Sequence, residues 1–491
     1  MTTEPSRDGA LARASSHFAS GALRDDLARR VAHRTESQRD DRAAQQRAYL
    51  DEEMAPALAA MGFATRILAN PVKADCPFLV ASRVEDARAP TILIYGHGDV
   101  VLGMEGRWRE GRDPWRLDVA GERWYGRGTA DNKGQHSINL AALRQVFDER
   151  GGRLGFNCKV LIETGEEAGS PGLREIARAE RELLAADALI ASDGPRLSAE
   201  RPTVFLGSRG AVNFDLVCDL REGAHHSGNW GGLLANPGTI LASAIASLVD
   251  ANGRIRVEGL RPPPIPASVR AALADLSVGG GPSDPPVDRD WGEPGLTPEE
   301  RVFGWNALEV LAFGCGDPDA PLNAVPARAR ATLQLRFVVG TQAETVVPAV
   351  AAHLGEAGFP RVQVSSSRMD AFPATRLDPD DPWVDFTLAS LRRTSGKAPA
   401  LLPNLGGSIP NDAFSDILGL PTIWIPHSYA ACSQHAPDEH LLAGVAEEGL
   451  ALMTGLFWDL GEGDAPRLSF SVTKDQRLRL RRESSRGGPR A

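Results

Sequence analysis

Short, almost uninterrupted apolar runs punctuate the chain: TILIYG at 91–96, CKVLIE at 158–163, ALIAS at 188–192 and PTIWIP at 421–426. Runs of this length and continuity suit strands covered on both faces. Between them lie helical patterns, GQHSINLAALRQVFDER at 134–150 and GLREIARAERELLA at 172–185. Residues 20–60, rich in Ala, Arg, Asp, Glu and Leu, also read as helical. Strands alternating with helices predict an α/β sheet with helices on both faces. The middle differs. VNFDLVCDL at 212–220 and ARATLQLRFVV at 329–339 alternate apolar and polar residues, as half-exposed strands do, and helical pieces fall at 238–250 and 341–357. Pro- and Gly-rich stretches occur at 261–266 and 277–296. The expected organisation is an α/β part over 1–205, an inserted α+β domain over 206–368, and the rest of the α/β part over 369–474. The end, 475–491, is basic and reads as a disordered, solvated tail.

Composition narrows the partners. The 491 residues carry a net charge of −10, with 42% hydrophobic and 24% charged residues. That is ordinary for a globular protein, and the negative balance does not favour nucleic acid. The cysteines, Cys76, Cys158, Cys218, Cys315 and Cys432, are scattered and odd in number, with no CxxC. This argues against a disulfide framework or a cysteine-rich zinc site. No apolar h-region opens the chain and no apolar run is long enough to span a membrane. A cytoplasmic protein is expected.

In an open α/β sheet, ligands gather at the carboxyl ends of the strands. Acids and histidines recur there. YGHGDV follows the first strand with His97 and Asp99, and GRGTADNKGQ opens a helix with Asp131. ETGEEAGS follows the second strand with Glu166 and Glu167, SDGP the third with Asp193, and HSYAACSQHAPDEH the late one with His435. Singly these are bland. Asp131 suits a helix N-cap, Asp193-Gly194 a turn, and two adjacent glutamates a wet loop. Together they cluster acids with no balancing run of Lys or Arg, which favours bound cations. Histidine with carboxylate and no cysteine suits zinc, cobalt or manganese.

The ordered set GHGDV, GRGTADNKG, ETGEEAGS, SDG, HHSGNWGG, NAVPARARATLQLR, GGSIPN and HAPDEH, over about residues 40–460, carries a resemblance. It resembles the di-zinc metallopeptidase family of aminoacylase, carnosinase, glutamate carboxypeptidase, acetylornithine deacetylase and succinyl-diaminopimelate desuccinylase. The resemblance implies a mixed-sheet catalytic domain interrupted by a lid and dimerisation domain, and two divalent ions per subunit, zinc first, cobalt or manganese as alternatives. His97 and Asp193 are then expected on one ion, Glu167 and His435 on the other, and Asp131 on both. Asp99 is expected to orient His97. Residues two apart in an extended segment share a side, which suits that role. The peptide Asp131-Asn132 is expected to be cis. Glu166 is expected to act as general base.

In the inserted domain the resemblance points to His226, expected to reach the active site of the partner subunit in a homodimer and stabilise the oxyanion. It also implies substrate contacts from Asn323, Arg336, Gly407 and Ser408, with Arg336 clamping a carboxylate. One departure matters. Carnosinase-like relatives carry Arg-Glu before the two glycines, where this chain has Asn404 and Leu405. The glutamate is thought to meet a free amino group, and leucine cannot. The expected substrate is therefore an N-acyl amino acid or related small amide bearing a carboxylate. A dipeptidase or exopeptidase and an N-carbamoyl amino acid hydrolase are the alternatives. A metal-binding pseudoenzyme is the reading from another class, disfavoured because ligands, base and lid histidine occur together.

Overall fold

The apolar run at 91–96 becomes the strand Thr91–His97, whose Ile92, Leu93, Ile94 and Tyr95 are all buried. It lies inside an eight-stranded mixed sheet in a computed structural model that describes residues 4–279, 285–367 and 371–467. Across the sheet the order is Ala64–Leu68, Phe78–Arg83, Asn157–Glu163, Thr91–His97, Ala188–Ala191, Thr422–Trp424, Thr203–Phe205 and Ala400–Leu402. Thr91–His97 runs parallel to both neighbours, Asn157–Glu163 and Ala188–Ala191, and Thr422–Trp424 extends the parallel set. The carboxyl ends of these strands therefore meet at one edge, with His97 opposite Glu163.

Both faces are covered. Ile92, Ile94, Val160, Ile162, Ile190 and Ile423 pack into one apolar core with residues of the helices Lys133–Glu149, Pro382–Ser395 and Ala443–Leu460. On the other face the rings of Tyr95 and Trp424 pack edge-on against Phe414, in the helical turn Ala413–Leu418. Continuous apolar runs are what such a two-faced sheet demands. The helix Arg7–Ala19 precedes the segment read as helical, and the helix expected over 172–185 stops after Leu173–Ala179.

By its internal contacts the chain forms two compact units. Met1–Leu206, Leu377–Leu402 and Pro410–Ala491 make the first; Gly207–Arg376 and Pro403–Ile409 make the second. The segment Pro403–Ile409, left in the α/β part by the sequence reading, thus belongs to the second unit. Backbone bonds explain why: Leu405 N–H donates to Gly207 O at 2.8 Å, and Arg209 N–H to Leu405 O at 3.0 Å. The tail expected at 475–491 lies outside the described residues. Among the described residues no helix is long and apolar enough to cross a membrane.

The second unit is an antiparallel sheet in the order Ala307–Gly314, Arg328–Phe337, Gly210–Asp219, Gln363–Ser366. Its alternation separates two faces. Val212, Phe214, Leu216, Leu333, Leu335 and Phe337 enter a core with Leu241 and Leu248 of the helix Pro237–Leu248 and with Val346, Val350 and Leu354 of the helix Ala343–Glu356. The residues between them, among them Asn213, Asp215, Thr332, Gln334 and Arg336, form a polar face.

Candidate active site

Seven of the predicted residues, all in the first unit, come together at the strand ends. His97 ends its strand and is fully buried. Asp131 sits in the loop before the helix Lys133–Glu149. It is not the helix N-cap, a place that Asn132 takes, and the Asp131-Asn132 peptide is cis. The start of that helix fits closely under the loop. A Cβ on Gly134 would stand 1.9 Å from Thr129 O, so only glycine fits there.

Asp131 stands between the two histidines. Its Oδ1 lies 3.0 Å from His97 Nε2 and its Oδ2 lies 3.1 Å from His435 Nε2. Each histidine has a further acid. Asp193 Oδ2 is 3.7 Å from His97 Nε2, and Glu167 Oε2 is 3.1 Å from His435 Nε2. Glu166 Oε2 is 3.9 Å from His97 Nε2 and has no partner closer among the described residues. His97, Asp131 and Glu167 each offer a ligand atom within 4.8 Å of the others, close enough to hold a metal ion.

Asp99 does something the spacing did not suggest. His97 Nδ1 is nearer to the main-chain oxygen of Asp99, at 3.1 Å, than to its carboxylate, at 3.4 Å. The carboxylate oxygens accept instead from the backbone N–H groups of Glu166 and Glu167, at 3.1 and 3.0 Å. Asp99 therefore fixes the main chain of both glutamates as well as the ring of His97.

Burial pushes the carboxyls of Glu166, Glu167 and Asp193 up, because like charges are held together out of water. Burial acts the same way on Asp131, but hydrogen bonds with His435 and His97 outweigh it and hold that carboxyl low. Glu167 Oε1 is buried with no hydrogen-bond partner among the described residues. A donor set of largely buried acids with one buried imidazole, His97, one half-exposed imidazole, His435, and an orphaned carboxylate oxygen fits divalent cations.

The other predicted residues lie in the second unit. His226 is exposed and pairs with Ala324, and its Nδ1 accepts from the N–H of Gly228 at 3.1 Å. Asn323 is beside it: its main-chain oxygen accepts from Ser227 N at 2.9 Å and from Ser227 Oγ at 3.0 Å. Arg336 donates through Nη1 to Ser408 Oγ at 3.0 Å, which brings the neighbour of Gly407 onto the polar face.

Against known families, residues 93–459 match the model for peptidase family M20/M25/M40. The chain belongs to that family. It is 31% identical over 356 residues to a cysteinylglycine-S-conjugate dipeptidase of Corynebacterium striatum, covering 70% of this chain and 74% of the relative. It is 26% identical over 407 residues to a human beta-Ala-His dipeptidase, covering 79% and 78%. Among solved structures it superposes on an M20 family metallo-carboxypeptidase from Sulfolobus solfataricus with a TM-score of 0.73 at 24% identity, covering 89% and 99% of the two chains. The mixed α/β fold is that of the family, and the chain is a metal-dependent hydrolase of amide or peptide bonds.

Within this M20 chain, two residues near the cluster escaped the sequence reading. Gln434 Nε2 donates to Asp131 Oδ2. Glu439, 1% exposed, accepts from the N–H groups of Ala130 and Asp131 at 2.9 and 3.0 Å, from Gly128 N at 3.0 Å and from Arg127 Nη1 at 2.7 Å. It lies four residues after His435, so it ties the loop of one histidine to the loop of Asp131. Both residues stand within the quoted stretches around His435. Their partners are about 300 positions away, and spacing carries no signal of that.

Proposed function

We propose that hydrolysis takes place at the Asp131 cluster with two divalent metal ions per subunit, zinc first, cobalt or manganese as alternatives. His97 and Asp193 would hold one ion, Glu167 and His435 the other, and Asp131 both. The observation that carries this reading is the placement of Asp131, with one oxygen toward each histidine and a further acid beside each. When bound, the ions supply Lewis-acid polarisation of the carbonyl and ease deprotonation of the attacking water.

Glu166 is left for the proton. It accepts one from the attacking water and delivers it to the leaving amine. Asp99 keeps its main chain in place for that transfer. His226 would stabilise the oxyanion from the partner subunit, which calls for a homodimer through the second unit and closure of a lid. The substrate is a small amide with a carboxylate, which Arg336, Ser408 and Gly407 hold, with Asn323 beside His226. Leu405 supplies no acid for a free ammonium, and leaving that charge unpaired is costly. An N-acyl amino acid or peptide-like amide fits this best.

The similarity to two dipeptidases favours a second reading, hydrolysis of unblocked dipeptides. One experiment tests both levels. Metal-replete protein and Glu166→Gln are incubated with N-acyl amino acids, N-carbamoyl amino acids and free dipeptides, with products read by mass spectrometry. Glu166→Gln should keep its metal content and lose turnover by at least about 10²–10⁴-fold, the usual range for a general base. Near-wild-type turnover in that variant would sink the assignment. Hydrolysis of free dipeptides with N-acyl amino acids untouched would establish the second reading.

A further inference from the structure

The polar face of the sheet in the second unit distributes its cations unevenly. Arg330 Nη2 donates to Asp215 Oδ2 across the ladder at 2.7 Å, and Thr332 Oγ1 donates to the other oxygen of that acid at 2.6 Å. Three turns of the pleat further on, the partners are neutral. Arg336 donates through Nε to Gln334 Oε1 at 2.9 Å and through Nη1 to Ser408 Oγ at 3.0 Å.

Beside it lies Arg209, only 7% exposed, with Nε and Nη2 buried and without hydrogen-bond partners among the described residues. Ser408 links the side chain of Arg336 to the main chain of Arg209: its Oγ, the acceptor for Arg336, donates to the main-chain oxygen of Arg209 at 2.8 Å. Burial lowers the pKa of both guanidinium groups, and the charge of Arg336 lowers that of Arg209 further. Glu309, half-buried on the strand Ala307–Gly314, attracts Arg209 but forms no ion pair with it among the described residues. A buried guanidinium with its donors unused is costly, and a ligand that brings acceptors removes the cost.

We infer that Arg209 is a specificity-determining residue, joining Arg336 and Ser408 in a two-guanidinium site for the carboxylate of the substrate and setting the preference for an anion over a neutral group there. Glu309 offsets one of the two positive charges, so the site suits a single carboxylate rather than a dianion. The inference rests on the reading that Arg336 holds the substrate carboxylate.

The test uses the full-length, metal-loaded protein. Its probes are the panel member cleaved fastest by the wild type and the same compound with that carboxyl converted to a carboxamide. Arg209→Met should raise KM for the acid about 10–100-fold, the worth of a charge-assisted hydrogen bond, with kcat nearly unchanged. It should leave kcat/KM for the carboxamide as in the wild type, and Arg209→Lys should restore much of the selectivity. Equal losses on both compounds mark a structural role and overturn the inference, as does no loss on either. Arg336→Met separates the two levels. If it keeps the discrimination between acid and carboxamide, the carboxylate reading itself fails. If it loses that discrimination while Arg209→Met keeps it, only the role of Arg209 fails. Should Arg209→Met not fold, Glu309→Gln gives the opposite sign: KM for the acid should fall about 2–5-fold as the offsetting charge is removed, with the carboxamide unaffected. An unchanged or raised KM would again overturn the inference.

Discussion

At the strand ends of the first unit, Asp131, Glu167, Asp193 and the partly buried Glu166 gather around two histidines, and no Lys or Arg pairs with them among the described residues. On the polar face of the second unit, Arg209 and Arg336 are partly or wholly buried with no carboxylate in hydrogen-bonding reach among the described residues. Other buried charges have partners of their own: Arg127 pairs with Glu439, Arg196 with Glu448 and Arg7 with Asp459, while Lys133 donates to the main-chain oxygens of Arg30 and His33 and Glu163 accepts from the hydroxyls of Tyr95 and Ser170. Burying like charges together weakens a fold unless something of opposite sign arrives. The two sets are opposite in sign, which is what the proposed cation site of the first unit and the proposed carboxylate site of the second require.

The comparison breaks most sharply at Asp131. Asp131→Ala removes the group shared by both histidines and should lower metal affinity by more than the 10–100-fold typical of outer partners, with turnover lost alongside. Metal content after dialysis, read by elemental analysis, checks it. Full occupancy in Asp131→Ala would show that the acids of the first unit are not a cation site built on that residue.

Glu439→Gln acts one step back. Its carboxylate accepts four hydrogen bonds, and an amide would place its own N–H groups against the donors of the Asp131 loop. The expected result is a 10–100-fold weaker hold on metal, with turnover largely restored at high metal concentration. Chelator competition measures the affinity directly. An unchanged affinity in a folded variant would confine Glu439 to loop stability.

Legibility in the sequence followed the same physics. The strands at 91–97, 157–163 and 188–191 were readable because burial on both faces requires continuous apolar runs. The acids and histidines that end them were readable because parallel strands bring their carboxyl ends to one edge. Ala64–Leu68 was not: it edges the sheet, and its first three residues are exposed and polar or small. Pro403–Ile409 joined the second unit through backbone bonds to Gly207 and Arg209, which no side-chain pattern announces. Asp99 lies beside His97 as its spacing suggests, but its carboxylate turns to the amides of Glu166 and Glu167, a contact made by loop closure and not by spacing. Arg209 stayed hidden because a sequence shows a charge without showing its burial.

Glu85 gives the smallest effect and a control, an acid of the first unit whose partners are already in place. It is 6% exposed and accepts from Leu154 N at 2.8 Å, Gly155 N at 3.0 Å and Arg83 Nε at 2.7 Å. Burial alone would raise its carboxyl, but these donors outweigh burial and hold it below the usual range. A carboxyl depressed in the folded state stabilises the protein above its unfolded pKa of about 4.3, and that contribution fades as pH falls through the folded value. Glu85→Gln should therefore cost about 1.5–3 kcal/mol at pH 7, the range for hydrogen bonds to a charged group. The gap between wild type and variant should narrow steadily below about pH 4.5. Neither metal affinity nor the preference for acid over carboxamide should move. Denaturant unfolding at pH 7 and at pH 3.5 tests the first part. A gap that widens in acid would mean that Glu85 is neutral in the fold, and that pairing is not what distinguishes it from the acids at the strand ends.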